Sequence, residues 1–313
     1  MTLYVHTESY VSHIEPDLYI PGNILFSDGC SLKTTDGLMS SLIAGSAISA
    51  EREYIEGVGK GIEFCYITGF AQLTESQVIF VDIAPCLRTV DRKTKQILVL
   101  LGYCSGFGQA SESKLQLPVS IAFDNHHVQI VVTDGDTGSL RMVDLDRDTV
   151  FTLVNGYLKT IYSVFQDWSS ADYLRNMTMP RHALATYYYQ PAAQHVVKTG
   201  SSNDGFTDGP YEIAKFSYPV EKALLSSTTL LMAEHENNRL RFIDLDSNTT
   251  TFICTGEQGH GNGDLASCQL FSPQSMLVSH DTLFVGEYKM IRAVRGKFMN
   301  KNVYTNSTVI PHL

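Results

Sequence analysis

An acidic residue closing an apolar stretch, with arginine five to seven positions later, returns along this chain at Asp82/Arg88, Asp134/Arg141, Glu234/Arg241 and Glu287/Arg292. The acidic positions lie 52, 100 and 53 residues apart. The gap of 100 holds two periods, with a degenerate copy near Thr186. One period before Asp82 stands Asp28, with Lys33 at the basic position. The spacing implies six units of about 50 residues, and repeats of that length build propellers or solenoids.

The interior of one unit shows what each contains. Leu230 to Met232 is an apolar run too short for a helix, and Glu234 to Asn238 is a polar turn. Leu240 to Ile243 starts a second strand, Asp244 to Asn248 a second turn, and Thr249 to Cys254 a β-branched third strand ending at Gly256. Phe216 to Pro219 begins a strand upstream, which makes a four-stranded meander. Proline opens the corresponding strand at Pro118, Pro180, Pro219 and Pro273. It is tolerated there because a first residue owes no ladder hydrogen bond.

These residues resemble the NHL repeat. Its pattern reads here as Gly205 to Pro210, Ala214-Lys-Phe-Ser-Tyr-Pro219, Met232-Ala-Glu-His-Glu-Asn-Asn-Arg-Leu-Arg241, Ile243-Asp-Leu245 and Cys254-Thr-Gly256. The match is strongest there and in Pro118 to Val154, fair over 64–102 and 256–296, and weakest over 16–58 and 156–200. The resemblance implies an all-β fold, a six-bladed β-propeller of four-stranded antiparallel blades around a channel. It makes the 313 residues a single domain, with blades at about 16–58, 59–102, 103–155, 156–200, 201–256 and 257–313. Residues 1–15 are expected to close the ring, with Leu3 to Ile14 adding a strand to the last blade; the tail 303–310 is the other candidate.

Charge narrows the partners. A net charge of −10 argues against nucleic acid, whose backbone selects a basic surface. The longest apolar run, Ile97 to Leu101, is far below a bilayer span, so no membrane insertion is expected. No apolar signal core follows Met1, and the chain reads as a monomer or part of a longer protein. The six cysteines form no CxxC pair; Cys254 and Cys268 flank one connection between units and are the best candidates for a disulfide, against buried free thiols. Sequons at Asn176, Asn248 and Asn306 tilt the compartment towards extracellular, as a glycoprotein or ectodomain.

Four positions lie two after the strand-opening prolines: Ser120, His182, Glu221 and Ser275. If those strands line a channel, the four residues ring its mouth. The strand start Pro180-Arg-His182 is similar to that of the peptide-amidating lyase, a propeller enzyme with a channel metal. A Ca2+ or Zn2+ ion there would draw on such residues, but zinc needs three ligands of this kind and the ring offers one histidine. The acid–arginine pairs recur in most units, so they read as structural ion pairs with a guanidinium fork on each carboxylate. His126-His127 and His235 to Asn238 are turn residues. Gly256 to Gly263 lacks the helix and lysine of a phosphate loop. Residues 156–180, with Trp168, form an irregular insertion, and Tyr187 to Tyr189 supply either a core strand or an exposed patch. The expected function is a non-enzymatic scaffold that binds a protein or ligand, with no catalytic residue and no cofactor. The alternative is a metal-dependent hydrolase or lyase with its site in the channel.

Overall fold

The computed structural model describes residues 2–46, 57–58, 66–82, 84, 86–102, 115, 118–124, 129–134, 139–144, 149–154, 186–190, 195–199, 205–210, 213–217, 219–226, 229–244, 249–264, 266–279 and 282–295. Every regular element among them is a β-strand. His182, Trp168, the rest of 156–180, His126-His127, Asn176, Asn248, Asn306 and the tail 303–310 lie outside the described residues.

The chain begins with β1 (Thr2–Tyr10) and then forms a meander of β2 (Ile14–Pro16), β3 (Ile24–Asp28), β4 (Ser31–Thr35) and β5 (Ser40–Gly45). A short β6 (Gly57–Val58) precedes β7 (Ile67–Gln72), β8 (Gln77–Asp82), β9 (Cys86–Asp91) and β10 (Gln96–Gly102). Next come β11 (Pro118–Asp124), β12 (Gln129–Asp134), β13 (Ser139–Asp144) and β14 (Thr149–Val154). The pair β15 (Thr186–Gln190) and β16 (His195–Thr199) follows. A short β17 (Gly209–Pro210) leads into β18 (Pro219–Ser226), β19 (Thr229–Glu234), β20 (Arg239–Asp244) and β21 (Thr249–Ile253). The last strands are β22 (Ser275–Ser279) and β23 (Thr282–Arg295).

Each meander is antiparallel in chain order, and β6 and β17 add a fifth strand on the outer edges of β10 and β21. The first strand crosses the whole chain: β1 pairs antiparallel with β23, Thr2 facing Ala293 and Tyr10 facing Tyr288. That strand was expected to run to Ile14. It stops at Tyr10, and Ile14–Pro16 instead opens the next sheet against Ile24–Phe26. Local bonds fix the break: the Ser27 hydroxyl accepts from the His13 N–H, and Ser27 N–H donates to His13 O. The two halves of β23 serve different neighbours, β22 and β1, and Lys289, at a register shift in the half that faces β1, takes φ +63°.

Adjacent sheets share cores. Leu25 and Leu32 pack with Ile67, Phe70, Val78 and Phe80 of the next sheet. Ile79, Val81 and Leu87 pack with Ile121, Ile130 and Val132. Leu231 and Leu240 meet Met276 and Val285, and Phe26 meets Ile291. Each side chain of this size contributes about 1.5–3 kcal/mol on leaving water. The leading strands also touch in series: β18 against β22, β22 against β2, β7 against β3, the second strand of the β2 sheet, and β7 against β11.

Candidate functional site

Around the starts of several sheets a hydroxyl bond between sheets is repeated. Ser275 Oγ, on β22, donates to Val11 O at 2.6 Å. Ser12 Oγ, ahead of β2, donates to Ile67 O. Thr68 Oγ1, on β7, donates to Pro118 O at 3.0 Å. Each hydroxyl therefore reaches the first residues of the following sheet. Ser120 of β11 matches Ser275 in register, each standing opposite the residue before the acid, and is buried. Of the four proposed mouth positions, Ser120 and Ser275 are buried, and Ser275 bonds across the seam between sheets. Glu221 stands on β18 opposite Ala233, its side chain outside the described residues, as is all of His182.

In three sheets the repeated acid clamps the segment that precedes the sheet. Glu234 accepts from the Ser217 N–H at 3.0 Å, Glu287 from the Phe271 N–H at 2.8 Å, and Asp28 from the Glu8 and Ser9 N–H groups. Arg241 donates to Lys215 O and Thr207 O, and Arg292 to Gln269 O and Gly261 O. The expected fork on the carboxylate is not what forms. The guanidinium is shared with loop carbonyls and stays 3.4 Å from Glu234 and 3.5 Å from Glu287. In the other pairs, Asp82 to Arg88 is 3.9 Å and Asp134 to Arg141 is 3.7 Å. Such loose pairs compensate burial only partly. Burial pushes Glu234 up to about 7 against the pull of Arg241, and Glu287 up to about 8 against Arg292.

Above these clamps the structure assembles aromatic rings that sequence reading did not bring together. Tyr10 and Tyr288 lie 4.6 Å apart, Tyr288 and Phe271 5.1 Å, and Phe271 and His260 5.4 Å. His235 flanks Tyr10 at 6.1 Å, and Lys289 Nζ lies 5.1 Å from the Tyr288 ring centre. All these side chains are at least partly exposed. The rings come from the end of β1, the middle of β23, the turn after β19 and the connection between β21 and β22. That connection is closed by a disulfide between Cys254 and Cys268 and is tied to the neighbouring turn by Asn238 Oδ1, which accepts from the Ser272 N–H at 2.8 Å. Tyr66 Oη, hydrogen-bonded to Gln274 Oε1 at 3.2 Å, brings the β7 sheet to the same border. Cys86 is also disulfide-bonded, and Cys30 is a free thiol.

His260 Nδ1 lies 3.6 Å from Glu287 Oε2, and burial and the Arg292 charge lower its proton affinity. Among the described residues no three His, Cys, Asp or Glu side chains come together as a metal set. No helix among them is long and apolar enough to cross a membrane.

No protein-family model matches the sequence, and no curated protein does. Solved structures do match. An auxiliary nutrient binding protein from Bacteroides ovatus has a TM-score of 0.61 at 11% identity, covering 94% of this chain and 70% of that one. Its counterpart from Bacteroides thetaiotaomicron gives 0.60 at 11%, covering 92% and 70%. A gluconolactonase from Xanthomonas campestris gives 0.56 at 11%, covering 94% and 88%. At such identities the likeness is one of fold, and the fold it shows is an all-β, propeller-like array of antiparallel sheets.

Proposed function

We propose that this chain closes into a six-bladed propeller of NHL type and works as a non-enzymatic binding module. Its partner, a protein or a small ligand, seats on the strip of Tyr10, Tyr288, Phe271, His260 and His235. The observation that carries this reading is the strip itself: partly exposed rings on a braced surface, with the polar groups beneath already engaged in holding the sheets together. Rings offer large contact area at low entropy cost. The setting is extracellular, which the Cys254–Cys268 disulfide favours.

A second reading rests on one sequence feature. Where other sheets place a hydroxyl, two successive units carry His182 and Glu221. A Ca2+ or Zn2+ ion held there would make the chain a hydrolase or lyase. The test sets the two against each other. Purified protein is titrated with peptide and neutral oligosaccharide panels, followed by tyrosine fluorescence, and is assayed on lactones with and without added calcium or zinc. The binding reading expects saturable binding that Tyr288→Ala weakens by about ten-fold or more. Cation-dependent turnover that Glu221→Gln abolishes would overturn it.

A further inference from the structure

The connection between β21 and β22 carries a chemistry that ligand binding does not use. Over residues 259–264 it reads Gly-His-Gly-Asn-Gly-Asp. Asn262 is followed by Gly263, which has no side chain to keep its main-chain nitrogen away from the asparagine amide carbon. The fold requires this neighbour. A Cβ at Gly263 would lie 2.5 Å from Ser267 Oγ and 3.1 Å from the Cys268 nitrogen. Ser267 Oγ is itself pinned, because it donates to Asp264 Oδ1 at 2.6 Å and accepts from the Asp264 N–H at 3.2 Å.

Asn262 is exposed, but the group that meets its amide is not. Arg292, on β23, is 1% exposed. Its Nη2 donates to Asn262 Oδ1 at 3.1 Å and to Gly261 O at 2.9 Å, and its Nη1 donates to Gln269 O at 2.7 Å. A guanidinium on an amide oxygen withdraws electrons from the amide carbon. It also stabilises the oxyanion that forms when that carbon is attacked.

The loop keeps this geometry in place. Gln269 N–H donates to Gly261 O and Gly259 N–H to Leu270 O, both at 3.0 Å. Asp264 Oδ1 accepts from the Ala266 and Ser267 N–H groups, and the Cys254–Cys268 disulfide closes the base. Asn262 and Gly263 therefore stand between two anchored points, beside a fixed donor.

We propose that Asn262 is a self-modifying site, with Arg292 as its electrostatic promoter. The Gly263 nitrogen attacks Asn262 Cγ and closes a succinimide ring. The new bond joins that nitrogen to Cγ, the Cγ–Nδ2 bond breaks, and Nδ2 leaves as ammonia with the proton that Gly263 gives up. Water then opens the ring at either carbonyl, giving aspartate or isoaspartate, and no other reagent is needed. Aspartate places a carboxylate against Arg292, where it competes with Glu287, 3.5 Å from the same guanidinium. Isoaspartate adds a methylene to the main chain of the loop that carries His260 and Phe271. The change is one-way, and it does not depend on what binds the aromatic strip.

The full chain with its disulfides intact is incubated in warm neutral buffer, digested and weighed by mass spectrometry, with isoaspartate separated from aspartate by elution. The Asn262 peptide is expected to gain the mass of an acid over an amide, as both isomers. Asn23 and Asn238, followed by isoleucine and arginine, are expected to keep their amides. Arg292 also belongs to a clamp, so its part is read first without a substitution. The chain unfolded in guanidinium chloride should convert about ten-fold more slowly than the folded chain, and folded Arg292→Lys should be slowed to a similar extent. An Asn262 amide that lasts as long as those of Asn23 and Asn238 overturns the modification. Conversion as fast in the unfolded chain as in the folded one overturns the assignment of Arg292 as promoter.

Discussion

Glu234 and Glu287 hold their protons more firmly than carboxyls in water do. The cause is division of labour: each arginine beside them spends its donors on loop carbonyls, so burial outweighs attraction. Against an ordinary value of 4.5, the folded chain pushes the two groups up to about 7 and about 8. The unfolded chain releases these protons at lower pH. The stability they contribute is therefore complete below about pH 4.5 and is lost as pH rises through 7 and 8. We expect the thermal midpoint to fall between mildly acid and mildly alkaline buffer. Replacing both residues with glutamine, which keeps an acceptor for the Ser217 and Phe271 N–H groups, should flatten that fall. An unchanged slope in the double variant would remove this explanation.

At the level of strands, the hydroxyl bonds between sheets are the feature most open to a direct test. Ser275→Ala leaves Val11 O without its donor in a buried seam, a loss of about 1–3 kcal/mol. Denaturant unfolding should show it as a lower midpoint at constant slope. Ser275→Thr, which keeps a hydroxyl, should recover part of the loss, and equal losses in both variants would argue for packing instead. Proline spacing made part of this pattern readable, because proline stands two before Ser120 and Ser275. Ser12 and Thr68 do the same work behind Tyr10 and Tyr66, where that spacing gives no signal. The strands themselves were legible from apolar runs and polar turns, as in Thr229–Glu234 and Arg239–Asp244. The short β2 was not, because three residues ending in Pro16 carry too little pattern. Nor was the aromatic strip, since Tyr10 meets Tyr288 only through pairing of the two ends of the chain.

For the whole molecule, the pairing of β1 with β23 is the strand pairing of greatest sequence separation among the described residues, and several devices converge on it. Residues 2–10 supply the third strand of the last sheet, the Glu8 and Ser9 N–H groups held by Asp28, the Glu8 carboxylate 3.3 Å from Lys33, and the Tyr10 ring. Tyr4 also packs edge-on against Phe284 at 4.8 Å. Each is modest alone, yet a domain's net stability is only about 5–15 kcal/mol, so losing them together consumes much of it. Deleting residues 2–10 would also expose the second half of β23 as a new edge. The truncated chain should unfold at a clearly lower temperature and associate on a sizing column. A synthetic peptide of residues 2–10, added in trans, should reverse both effects, because the site it leaves is specified by register and not by chain connection. If the truncated chain keeps its midpoint and stays monomeric, the sheets hold together without this strand. The burden of holding the sheets together would then pass to the hydroxyl bonds between them, where Ser12 and Ser275 already bond across the seams.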